Sequence, residues 1–214
     1  MLRRLRARKQ KSPSPANNPV QIVVGLRNPG AGYDGTRHNL GYEIVERLVA
    51  DSGEELGKGP SRIRGLTAQT GVSDSRTLFL IPNTFMNQSG AAVRAALDYF
   101  KVAPDELLVV HDDIDLPFGR LRLQVGGGSG GHNGIRSLEK ALGTKEFSRL
   151  KAGVGRPPGS QDPADFVLRP FTKKERPDVD VLVVDAADVV ARWLDDRVRA
   201  QEMAAHRGKE DPDD

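Results

Sequence analysis

The residue types suited to moving a proton lie in three separated segments of this chain. His38 stands between Arg37 and Asn39; Asp112, Asp113 and Asp115 follow His111; His132 precedes Asn133 at the end of a glycine run. A neutral imidazole accepts a proton near physiological pH, and a neighbouring carboxylate fixes its tautomer and stabilises its charged form. His38 is therefore the candidate base and Asp112 its candidate partner. Nothing in the chain offers an activated nucleophile: there is no cysteine, and no Gly-x-Ser-x-Gly elbow. Water is the expected attacker. Asn28, Asn87 and Asn133 add neutral N–H donors and C=O acceptors. These suit an amide backbone or a developing oxyanion, where one such donor contributes ~2.7–4 kcal/mol to the barrier.

The same residues admit plainer readings. A histidine near a helix start is commonly a surface residue, His111 can simply end a strand, and His132 can pack against the glycine run. Asp113 and Asp115 can shape a turn. The three histidines with Asp112, Asp113 and Asp115 also compose a conceivable metallohydrolase set. Gly126-x-Gly128-x-x-Gly131 formally matches a dinucleotide fingerprint with Glu146 as its ribose acid, although that acid should end the following strand and Glu146 precedes it.

The elements that must position these groups read as alternating strands and helices. A strand at Val20–Gly25 leads through a loop of Asn28, Pro29, Gly30, Gly32 and Gly35 into a helix at Leu40–Asp51. Leu66–Val72 and Thr77–Ile81 form an expected hairpin around Ser73–Arg76. Helix Ala91–Phe100 precedes an apolar strand, Leu107–His111, placed centrally in the sheet. An alternating strand at Arg120–Val125, a helix at Ile135–Leu142, a strand at Phe147–Val154, an irregular stretch to Pro170 and a long helix from Pro177 complete the body. This order predicts a single-domain three-layer α/β/α sandwich around a mixed, mostly parallel twisted sheet. Ligands gather beyond the carboxyl ends of such strands, which is where the three segments would meet.

Composition bounds the rest. The 214 residues, 37% hydrophobic, suit one domain spanning 20–204, with a basic tail at 1–19 expected to be disordered and a frayed polar end at 205–214. No apolar run is long enough to span a bilayer, no secretory signal is visible, and without cysteine there are no disulfides or thiolate metal sites; a cytoplasmic protein is expected. The first eleven residues hold six basic side chains and no acid, so the formal +3 of the whole leaves an acidic body. Within that body Arg120 to Arg156 carries eight basic residues against two acids. A basic stretch in an acidic body suggests a polyanion, and nucleic acid is the natural candidate.

The chain resembles the bacterial-type peptidyl-tRNA hydrolases over about Val20 to Leu194. The resemblance rests on G-L-R-N-P-G (Gly25–Gly30), T-R-H-N (Thr36–Asn39), T-F-M-N-Q-S-G (Thr84–Gly90), H-D-D-I-D-L-P (His111–Pro117) and G-G-G-S-G-G-H-N-G (Gly126–Gly134), five motifs in order. It implies cleavage of the ester joining a peptide to the 3′ ribose of tRNA, without metal or other cofactor, by a monomer, with His38 as base and Asp112 as its partner. Asn28, Asn39, Asn87 and Asn133 would contact substrate, with Tyr33 and Met86 lining the site. Arg122, Arg149 and Lys151 would meet phosphates of the acceptor arm. The family's clamp often uses lysine where this chain has Gln124 and arginine where it has Lys151, and Arg27 stands where a small residue is commoner. The rival of another class is a member that has lost turnover and serves as an RNA-binding or splicing accessory.

Overall fold

The computed structural model describes residues 19–71 and 75–207. The expected disorder before Pro19, the hairpin turn at Ser73 and Asp74, and the end beyond Arg207 lie outside the described residues. Among the described residues seven strands form one sheet: β1 (Gln21–Gly25), β2 (Gly57–Lys58), β3 (Gly65–Thr70), β4 (Thr77–Pro82), β5 (Leu107–Asp113), β6 (Leu121–Val125) and β7 (Ser148–Gly153). Their order is β2-β3-β4-β1-β5-β7-β6. The middle four, β4-β1-β5-β7, are mutually parallel, and antiparallel pairings finish both edges.

Six α-helices among the described residues accompany the sheet: α1 (Leu40–Asp51), α2 (Ser89–Phe100), α3 (Asn133–Leu142), α4 (Pro163–Val167), α5 (Arg176–Asp195) and α6 (Arg197–His206). Side chains alternate across each strand, so the apolar runs of β1 and β5 feed two cores at once. Val23, Leu108 and Val110 pack with α1, α5 and α6 on one face. Ile22, Val24, Leu107 and Val109 pack with α2 and α3 on the other. This is the three-layer architecture expected from the sequence.

Three elements were not anticipated. β2 is two exposed residues long and has no apolar pattern to read. α6 buries only Ala200 and Ala204 and carries helix past Ala205 through His206. α4 arises inside the supposedly irregular stretch; Asp162 caps it by accepting from Ala164 N–H, and Pro163 opens its first turn.

The parallel strands all end on one edge of the sheet, and there α1 comes unusually close. A Cβ on Gly41 would lie 2.2 Å from the Val110 carbonyl oxygen, so any side chain would push α1 off β5. That contact brings the 3₁₀ turn Arg37–Asn39, immediately before α1, against the end of β5.

Candidate active site

His38 and Asp112, 74 positions apart, meet at this edge with Nδ1 2.9 Å from Oδ1. Asp112 stays a carboxylate: burial would raise its pKa, but the charge of His38 and the hydrogen bonds of His38 and His132 hold it well below the usual range. Burial pulls the His38 pKa down, and the Asp112 charge and hydrogen bond overcome that pull and leave it raised. With the Nδ1 proton donated to Asp112, neutral His38 carries its lone pair on Nε2.

His132 does more than pack against the glycine run. Its Nε2 lies 3.1 Å from the same Asp112 Oδ1, and its ring stands 4.7 Å from that of His38. Its Nδ1 accepts the N–H groups of Gly134 and Ile135, capping α3. An imidazole accepting on Nδ1 must donate from Nε2, so His132 is neutral and its tautomer is fixed. Burial depresses its pKa in agreement. His38, Asp112 and His132 are close enough to surround a cation, although His132, accepting backbone N–H groups on Nδ1, has no lone pair on Nε2 to offer one. The legible signal for His132 was a histidine directly before an amphipathic helix, an N-cap position.

His111 is buried beside His132, with Nδ1 2.6 Å from the Asp112 carbonyl oxygen and Nε2 without a partner. Burial and the neighbouring His132 push its pKa down to about 3, so it is neutral. Asp113 and Asp115 make a turn, with Asp115 N–H donating to Asp113 Oδ1 at 2.8 Å. The dinucleotide reading fails on topology, since β6 and β7 on either side of the glycine run and α3 are antiparallel neighbours and not a parallel crossover.

Two cavities flank His38. One, of about 390 Å³, is lined by Asn28, Tyr33, Met86, Asn87 and Asn133 among others. The other, of about 300 Å³, is lined by His111, Asp112, Gly130, His132 and Arg136 among others. His38, Asn133 and the α4 residues Ala164 and Val167 border both. Asn28 is oriented from two sides: its Oδ1 accepts from Met86 N–H at 2.8 Å, which leaves its NH2 group as donor. Asn39 exchanges bonds with the Asn28 backbone, its Oδ1 accepting at 2.8 Å and its Nδ2 donating at 3.0 Å. Asn39 thus fixes the loop and borders neither cavity. Arg27 lies with its guanidinium 4.8 Å from the Tyr42 ring centroid, covering α1 away from the dyad.

The expected phosphate contacts separate. Arg149 does not face solvent, and this corrects the sequence expectation. Its side chain is 1% exposed, paired with Glu139 at 3.0 Å, bonded to the Gly128 carbonyl and stacked on Phe147. Lys151 Nζ is held 2.7 Å from Asp113 Oδ2. Gln124 donates to the Gly126 carbonyl. Arg122 is exposed on β6 beside Lys151 and has no ion pair among the described residues.

Comparison with known proteins bears on the family and the fold. The family model described as peptidyl-tRNA hydrolase matches residues 22–212. Peptidyl-tRNA hydrolase 1 of Corynebacterium glutamicum is 44% identical over 178 residues, which is 83% of this chain and 98% of that protein. The Mycobacterium tuberculosis peptidyl-tRNA hydrolase is 45% identical over 186 residues, 86% of this chain and 96% of its own. A crystal structure of peptidyl-tRNA hydrolase from Acinetobacter baumannii superposes with a TM-score of 0.81 at 31% identity, covering 88% of this chain and 95% of that one. With its fold and its five motifs accounted for, the chain belongs to the peptidyl-tRNA hydrolase family.

Proposed function

We propose that this protein hydrolyses the ester between a peptide and the 3′ ribose of tRNA, acting as a monomer in the cytoplasm, with His38 as general base. The observation that carries this reading is the His38–Asp112 hydrogen bond, which leaves a lone pair on His38 Nε2 between the two cavities. Water gives a proton to Nε2 as its oxygen attacks the ester carbonyl, and Asp112 stabilises the imidazolium so formed. The tetrahedral adduct then collapses: the carbonyl C–O bond to the ribose breaks, and the imidazolium proton passes to the departing 3′ oxygen. The products are a peptide carboxylic acid, which ionises to solvent, and tRNA with a free 3′ hydroxyl.

The NH2 group of Asn28, with Asn87 and Asn133, supplies donors for the peptide backbone and the oxyanion. Tyr33 and Met86 shape the same cavity, and Asn39 acts through Asn28. Arg122, the only one of the three expected anchors left unpaired among the described residues, meets the acceptor-arm phosphates. Such contacts position RNA without reading its sequence. The intact dyad weighs against a member that has lost turnover. No described helix is long and apolar enough to cross a membrane.

The test is release of peptide from a defined peptidyl-tRNA with and without EDTA. Turnover unaffected by the chelator is expected. Protein that grips the charged tRNA and leaves its ester whole would overturn the proposal, and loss of turnover on chelation would revive a metal site.

A further inference from the structure

Arg37 immediately precedes the candidate base, yet its side chain turns away from the dyad and is 6% exposed. Its guanidinium lies between two aromatic rings, 4.2 Å from the Phe166 centroid and 4.9 Å from that of Phe171. One terminal nitrogen donates to the carbonyls of Arg169 and Pro170 at 3.2 and 3.0 Å, and the other to Glu175 Oε1 at 2.6 Å. The main chain follows the same route. Arg37 N–H donates to the Arg169 carbonyl, Phe171 N–H to the Gly35 carbonyl, and Thr36 bridges Pro170. Every one of these partners lies between 166 and 175, the stretch that begins in α4 and ends at the residue capping α5.

α4 is five residues long and cannot hold its place by helical stability alone. Its Ala164 and Val167 nevertheless border both cavities beside His38. Phe166, on the same short helix, rests on the Arg37 guanidinium. Flat, permanently charged and forked, that group satisfies two rings, two carbonyls and a carboxylate at once, which an ammonium cannot do.

We propose that Arg37 is a positioning residue: it clamps α4 over His38, so that the turn carrying the base also carries the anchor of its cover. The inference rests on the assignment of His38 as the base. A cover held at a fixed height orients the ester and limits stray water at the moment of attack, whereas tRNA affinity is set by phosphate contacts elsewhere.

The experiment is a double-mutant cycle of Arg37→Lys and Phe166→Leu, read by kcat and KM for peptidyl-tRNA per folded molecule, by the pH profile of kcat/KM, and by amide exchange. Each single variant is expected to lower kcat about 10-fold with KM within about 2-fold, since small misplacements at the reacting centre cost rate. The double variant should lose no more than either single one, because both undo one tether. The pH profile should stay in place, and amides at 164–169 should exchange faster while β1 and β5 remain protected. Undiminished kcat in the folded fraction, additive losses, or unchanged exchange at α4 would overturn the proposal. So would a moved pH profile, which would mean that Arg37 acts on His38 directly. Should Arg37→Lys fail to fold, Glu175→Gln removes the charge of one partner only and carries the same readouts. Amide exchange needs no turnover, so a wild-type protein without hydrolase activity would refute the assigned reaction and leave the clamp still testable.

Discussion

The cluster around Asp112 and the sheet face of β6 and β7 both bury charge, but they balance it differently. Asp112 is an ionised, fully enclosed carboxylate whose two near neighbours are imidazoles on one oxygen. His132 is committed to neutrality by capping α3, so only His38 can bring a compensating positive charge, and it does so by taking up a proton. On β7 both cations already have a fixed anion, buried Arg149 with Glu139 and half-buried Lys151 with Asp113. A buried charge with a permanent partner is architecture. A buried charge whose partner arrives with a proton is equipped for chemistry.

The largest expected effect breaks the first half of this contrast. His38→Ala should lower single-turnover peptide release by ~10²–10⁴-fold, the usual share of general base catalysis, while filter binding finds tRNA affinity unaltered. A fall in affinity of similar size would mean that the cluster anchors RNA as much as it moves protons.

Asp112→Asn comes next and has a signature in pH. A general base works when neutral, so with His38 in that proposed role kcat/KM should rise with pH through its pKa, which Asp112 holds above 6.5. Without the carboxylate, burial is the remaining influence and lowers that pKa, so the rising limb should move to lower pH while its plateau drops. A limb that moved up or stayed fixed would show that Asp112 is not the group poising His38.

Much of this cluster was legible because each part has a local signature: an apolar run ending in His111-Asp112, a loop of glycines and asparagines, a histidine at a helix mouth. The layered fold followed from alternation of elements, and the rule that ligands gather at carboxyl ends brought His38 and Asp112 together. The β6–β7 face was misread for an equally physical reason. Arg149 alternates onto the same face as Lys151, and from sequence both look like solvent-facing cations in a basic stretch. What hides Arg149 is the return of the glycine run, whose Gly128 carbonyl accepts from it, and the reach of Glu139 from α3. Those are long-range placements with no local periodicity behind them. α4 went unseen for a related reason: five residues are too few to show a helical period, and its anchorage lies 129 positions back at Arg37.

If Arg149 is architecture, Arg149→Met should act on stability and hardly on tRNA. Removing one member of a buried pair strands the other, a loss of about 3 kcal/mol here because Glu139 keeps some solvent. Urea midpoints measure it, and KM of the folded variant should match the parent. A variant of normal stability with raised KM would return Arg149 to the RNA surface.

The smallest effect distinguishes the two remaining cations of that face. Arg122→Gln removes an unpaired exposed charge, so the slope of log affinity against log salt should fall by about one or slightly less, with a few-fold higher KM. Lys151 and Asp113 cancel each other at 2.7 Å. Removing both together, as Lys151→Gln with Asp113→Asn, alters no net charge and should leave that slope where it was, provided the pair stays closed in the complex. Titrating tRNA binding across a range of potassium chloride compares the two variants directly. Should the paired variant lose as much slope as Arg122→Gln, Lys151 must leave Asp113 when RNA arrives, and the face would hold one cation in reserve just as the Asp112 cluster holds one proton acceptor.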